Sequence, residues 1–133
     1  LESKVIALES DQDIAVARNE VSAMAVALGF RLLDQTKITT IASELARNVI
    51  KYASRGRMIA QPVEEASGRV GLRLVFEDKG EGIADLAAVM RAGYSTSGGL
   101  GQGLPGSRRL ADEFEIESEV GRGTNVTVVR WKS

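Results

Sequence analysis

Apolar residues recur at helical spacing along two consecutive stretches, Ile14 to Leu28 and Ile38 to Tyr52, and nearly every strand-like stretch comes after them. Helices and strands are therefore segregated along the chain. That order cannot wind the alternating strand-helix-strand units of a parallel sheet. The expectation is an α+β fold, with a mixed, mainly antiparallel sheet carrying its helices on one face.

Taken in order, Lys4 to Glu9 (KVIALE) reads as a first strand, and Ser10 or Asp11 can cap the helix behind it. Ile14, Ala17, Val21, Met24, Ala25 and Leu28 form that helix's apolar stripe, and Gly29 stops it. Asp34 is the expected N-cap of a second helix, which buries Ile38, Ile41, Ala42, Leu45, Val49 and Tyr52 and ends near Ala53. Arg57 to Val63 and Arg69 to Asp78 read as a hairpin, with Pro62 suggesting an exposed edge. A short helix is expected over Asp85 to Ala92 and another from Pro105 to about Glu113. Two last strands, FEIESEV and NVTVVRWK, meet at Gly121-Arg122-Gly123.

With 133 residues the chain is expected to be one domain, burying about two thirds of its unfolded surface. Seventeen basic residues against eighteen acidic ones create no broad cationic field for nucleic acid or anionic lipid. The chain contains neither cysteine nor histidine, which excludes disulfides, thiolate or imidazole metal sites and a Ser-His-Asp triad. Acid-base chemistry then falls to carboxylates, Lys, Tyr or water. No apolar run reaches membrane-spanning length, so a cytoplasmic location is the default expectation.

Five glycines fall between Gly98 and Gly106. GQGLPG spells the G-x-G-x-x-G of a dinucleotide fold, but AGYSTSGGL in front of it is no strand and the element order is wrong. A Walker loop is excluded because G-K-[ST] occurs nowhere. A flexible surface connector is the plain alternative. A lid whose amides fold over an anion also needs this backbone freedom, and such a lid ends at a helix N-terminus.

On the second helix Glu44, Asn48 and Lys51 are spaced four and three apart and share one face beside the apolar stripe. An amide oxygen together with phosphate oxygens suits Mg²⁺, and a neighbouring carboxylate can accept a proton from a hydroxyl or water. An amphipathic solvated face would carry the same charges. After the hairpin, Asp78-Lys79-Gly80-Glu81-Gly82-Ile83 puts a carboxylate ahead of two glycines. That loop can be a simple turn, or a place where Asp78 accepts from an exocyclic amine while Gly80 and Gly82 admit a flat ring.

In this order ELARN, DKGEGI, GLGQGLPG and GRGTNV resemble the N, G1 and G2 boxes and terminal threonine motif of the GHKL ATPases, from about Leu33 to the end. DQTKITTIASELARN and GLGQGLPGSRRLADEF are similar to the RsbT-type switch kinases of bacterial stress signalling, relatives of the anti-sigma-factor kinases. The resemblance implies a two-layer α/β sandwich, the Bergerat fold, binding ATP and Mg²⁺. It makes Glu44 the catalytic base, Asn48 the Mg²⁺ ligand and Lys51 a phosphate contact. Asp78 becomes the adenine-amine acceptor, with Gly80, Gly82 and Ile83 in the adenine pocket and Thr124 a second wall for the base. Gly99, Leu100, Gly101, Gly103, Leu104 and Gly106 form the lid. Arg108 and Arg109 either meet phosphate charge or face solvent. The implied activity is serine/threonine phosphorylation of STAS-domain proteins with activation of a PP2C-type phosphatase. Sigma-factor sequestration, or a non-catalytic nucleotide-gated module, are the alternatives.

Overall fold

The chain begins with β1 (Lys4–Leu8), which leads into α1 (Asp11–Ala27) through a capped corner. In the computed structural model, which describes residues 1–83, 90 and 103–132, Ser10 is the N-cap. The Asp13 carboxylate accepts the backbone N–H groups of Glu9 at 2.8 Å and Ser10 at 3.1 Å, satisfying donors that the helix start leaves over. At the other end Gly29 takes φ +84°, its N–H donates to Val26 and that of Phe30 donates to Ala25. This pair of bonds is a Schellman close, and it turns Phe30 into the core.

α2 (Leu32–Ala53) follows at once, with Arg31 rather than Asp34 as its N-cap. Asp34 sits in the first turn and is buried, its carboxylate drawn inward to Arg130. A partner far along the chain thus displaces the local capping role expected of an Asp at this position. Tyr52, expected in the apolar stripe, is exposed near the helix end.

The remaining elements are β2 (Gly56–Glu64), β3 (Val70–Asp78), α3 (Gly103–Leu110), β4 (Glu113–Glu119) and β5 (Gly123–Trp131). The strands form one sheet in the order β1-β2-β3-β5-β4, and each pairing is antiparallel. Segregated helices and strands thus give the α+β architecture. β2 lies inside the sheet, so Pro62 is not on an edge strand; β1 pairs only as far as Ala60, and Pro62 lies beyond that ladder. α3 starts at Gly103 and ends at Leu110, shorter at its C-terminus than expected because Glu113 already opens β4. Pro105 still falls in its first turn, where a missing N–H costs nothing. The helix expected over Asp85 to Ala92 lies, except for Met90, outside the described residues.

Alternation along the strands buries one face. Met58, Ala60, Leu72, Leu74, Phe76, Val126 and Val128 meet Ala17, Val21 and Met24 of α1 and Ile38, Ile41, Leu45 and Val49 of α2 in one core. Each large side chain buried this way contributes roughly 1.5–3 kcal/mol. Leu104 and Leu110 of α3 pack against the same core. Among the described residues no helix is long and apolar enough to cross a membrane.

Candidate functional site

One row of residues runs across the end of the sheet. Ser118 in β4 stands opposite Thr124 in β5, and Thr124 stands opposite Asp78 in β3. Asp78 shares its face with Phe76 and Leu74, and Thr124 shares its face with Val126 and Val128. The row therefore belongs to the face that carries the helices.

Asp78 is held by backbone donors. Its Oδ1 accepts the N–H of Gly80 at 2.9 Å and of Thr124 at 3.2 Å, and among the described residues Oδ2 receives no hydrogen bond. The loop beyond it is fixed at both ends. A Cβ on Gly80 would lie 2.7 Å from the Ala53 Cβ, so this loop rests on the last turn of α2. Gly82 has φ +79°, and a Cβ there would come within 2.3 Å of the Glu119 carbonyl oxygen, a position that only glycine fills. The Gly121 N–H donates to the Glu81 carbonyl at 2.9 Å, and the Ile83 N–H donates to Ser118 Oγ at 2.7 Å. Ser118 Oγ also lies 3.1 Å from the Gly123 carbonyl and 2.7 Å from Thr124 Oγ1. The Asp78 loop, the β4–β5 turn and the C-terminal turn of α2 are thus joined directly.

Glu44 and Asn48 are half-buried on α2, flanking the buried Leu45 and Val49, and Lys51 is exposed one turn further. The Glu44 carboxylate accepts from Arg47 Nη1 at 3.1 Å, and Lys51 Nζ stands 5.4 Å from the Tyr52 ring centre. Gly103 opens α3, Leu104 is partly buried, Gly106 is half-buried, and Arg108 and Arg109 are exposed in its last turn. Gly99, Leu100 and Gly101 lie outside the described residues. No group of three or more acidic side chains converges among the described residues, so a divalent cation on this strip would draw most of its oxygens from ligand and water.

Two concavities lie elsewhere, one of about 300 Å³ beside Arg69 and Trp131 and one of about 680 Å³ on the open sheet face around Arg73 and Val75. In the first, Asp112 Oδ2 accepts the Trp131 N–H at 2.6 Å, but among the described residues neither concavity has two backbone donors converging on one carboxylate oxygen. Asp78 is set apart by two backbone N–H groups on one oxygen. Ser118 was not legible as a site residue, although a small polar residue at the inward position after Phe114 and Ile116 was the available sign.

Residues 33–132 match the family of histidine kinase-, DNA gyrase B-, and HSP90-like ATPases. The chain belongs to that family. It is 44% identical over 126 residues to the serine/threonine-protein kinase RsbT of Bacillus subtilis (strain 168), an alignment spanning 95% of this chain and 94% of RsbT. It is also 26% identical over 127 residues to the anti-sigma F factor of Thermoanaerobacter sp. (strain X514), covering 93% of this chain and 89% of that protein. Among solved structures it resembles the RsbU and RsbW domains of Rv1364c from Mycobacterium tuberculosis, with a TM-score of 0.65 at 16% identity. That match covers all of this chain and 33% of the other. Full-length ShkA in complex with AMPPNP gives a TM-score of 0.58 at 19% identity, over all of this chain and 32% of ShkA. At such identities the two structures support the fold alone.

Proposed function

We propose that residues 1–133 form one ATP-binding kinase domain that transfers the γ-phosphoryl group of ATP to a serine or threonine of a partner protein in a bacterial partner-switching pathway. The observation that carries this reading is the 44% identity to RsbT, a named serine/threonine-protein kinase, across nearly the full length of both chains. The physical support is the row of Asp78 and Thr124 at the foot of α2, next to the helix that bears Glu44 and Asn48.

In this reading Asp78 Oδ2 accepts from the adenine amine. Gly80, Gly82 and Ile83 let the ring approach the backbone, and Thr124 closes the other side. Lys51 reaches a phosphate, and the amides of Gly99, Leu100, Gly101, Gly103, Leu104 and Gly106 close over the phosphates, helped by the α3 N-terminus. Arg108 is near enough in sequence to the lid to meet phosphate charge; both it and Arg109 are exposed. The Asn48 amide oxygen would hold Mg²⁺, which when bound neutralises phosphate charge. Glu44 takes the proton of the acceptor hydroxyl as its oxygen bonds to the γ-phosphorus. The bond to the bridging oxygen breaks and ADP leaves.

The expected substrates are STAS-domain proteins, and a PP2C-type phosphatase regulatory domain is the expected binding partner, in the cytoplasm. A second reading, capture of a sigma factor, is favoured by the anti-sigma F relatives at 26% identity. Incubation with Mg²⁺, labelled ATP and STAS proteins tests the first. Label should appear on a Ser or Thr; binding of ATP without transfer to any of them would overturn the kinase reading and leave a nucleotide-gated binding module.

A further inference from the structure

Among the described residues Ser118 Oγ has three polar neighbours, and it has one proton. The Ile83 N–H can only donate to it, at 2.7 Å. The Gly123 carbonyl can only accept from it, at 3.1 Å. Once the Ser118 proton goes to that carbonyl, the 2.7 Å contact with Thr124 Oγ1 is filled only if Thr124 donates. The Thr124 proton is then committed to Ser118, and the lone pairs of its Oγ1 are what it offers a ligand. Asp78 is oriented in the same sense, because both backbone donors are on Oδ1 and Oδ2 is left to accept.

We propose that Ser118 is a specificity-determining residue: by holding the Thr124 proton it makes the base site present two acceptors, which suits a purine with a 6-amine and rejects one with a 6-carbonyl. This rests on the reading of Asp78 and Thr124 as the base site. A 6-amine has two N–H groups to give. A 6-carbonyl meets acceptors with no donor among them, and sites built from polar groups discriminate strongly when a partner is left unpaired. Ser118 touches no base in this scheme and acts by positioning the Thr124 hydroxyl. Without it that hydroxyl can rotate and donate to the 6-carbonyl.

The test is equilibrium binding of the full chain, in Mg²⁺, to ATP and to inosine triphosphate. The wild type should prefer ATP by about 30-fold or more. Ser118→Ala should narrow the ratio about tenfold, the worth of one hydrogen bond gained and one lost, and Ser118→Thr, which keeps the hydroxyl, should restore it. A role in packing alone would weaken both nucleotides alike and leave the ratio unchanged. If Ser118→Ala is unfolded by circular dichroism, Ser118→Cys, a weak donor and acceptor of similar size, should give an intermediate ratio. A wild type that discriminates, with a ratio moving less than about twofold in the variants, overturns the role of Ser118 and leaves the base site standing. A wild type that binds neither nucleotide overturns the base site itself, and this proposal with it.

Discussion

Arg130 in β5 donates through Nη2 to Asp34 Oδ1 at 2.6 Å, joining two side chains that stand 96 residues apart in the sequence. Both are largely withdrawn from solvent, with side-chain exposures of 14% and 10%. Nη1 of the same guanidinium donates to the Leu110 carbonyl at 2.7 Å, at the C-terminal end of α3. One arginine therefore ties the first turn of α2 to the C-terminal end of α3. A cation at a helix C-terminus also suits the partial negative charge there.

Removing Asp34 takes from the buried Arg130 its closest carboxylate and leaves it, among the described residues, only that of Asp112, 3.7 Å from Nη1. Asp34→Ala is expected to cost about 3 kcal/mol, the range for breaking a buried ion pair, read as a lower urea midpoint at unchanged slope. Asp34→Ala combined with Arg130→Met should recover part of that loss, since the buried and poorly compensated charge is gone. A loss under about 1 kcal/mol in the single variant would mean that the pair is as weak as a surface bridge.

Gly82→Ala places a Cβ against the Glu119 carbonyl at a residue with φ +79°. The loop must move away from the β4–β5 turn, taking the Asp78 contacts with it. We expect a stability loss of about 1–3 kcal/mol and a fall in nucleotide affinity of at least about tenfold. Wild-type affinity in this variant would separate the loop from the site.

Glu44→Gln keeps the size of the side chain and removes its basicity. Phosphoryl transfer should fall by about 10²-fold or more, while ATP affinity stays within about threefold of wild type. The Arg47 contact at 3.1 Å is exposed and contributes little, so stability should change by less than about 0.5 kcal/mol. Parallel loss of affinity and transfer would make Glu44 a binding residue instead of a base.

The periods of the hydrophobic pattern were enough to read both long helices, the hairpin and the closing strands, because each buries one face against a shared core. The face carrying Glu44, Asn48 and Lys51 was legible from spacing alone, since four and three residues bring side chains together on any helix. Asp34 was misread because its carboxylate answers to Arg130, and nothing near it in sequence says so. Pro62 was misplaced for a similar reason: strand order inside a sheet depends on β1, which pairs from the far end of the chain. Ser118 escaped notice because a hydroxyl on a strand acquires its meaning from Ile83, Gly123 and Thr124, whose convergence only the fold creates.

If the Asn48 oxygen holds the cation, as proposed, Asn48→Ala should weaken ATP binding about tenfold in Mg²⁺ and hardly at all in EDTA. Equal weakening under both conditions would place the amide on the nucleotide directly.

The central claim, that the Asp78 row is the floor of a nucleotide site, is tested most directly by calorimetric titration of ATP and Mg²⁺ into the wild type and Asp78→Asn. The amide oxygen of Asn can still accept from Gly80 and Thr124, while its NH₂ replaces the acceptor that would face the purine amine. The account predicts saturable 1:1 binding by the wild type and a loss of about 10- to 100-fold in the variant at nearly unchanged thermal stability. Binding of equal strength by both proteins, or no binding by the wild type, would contradict it.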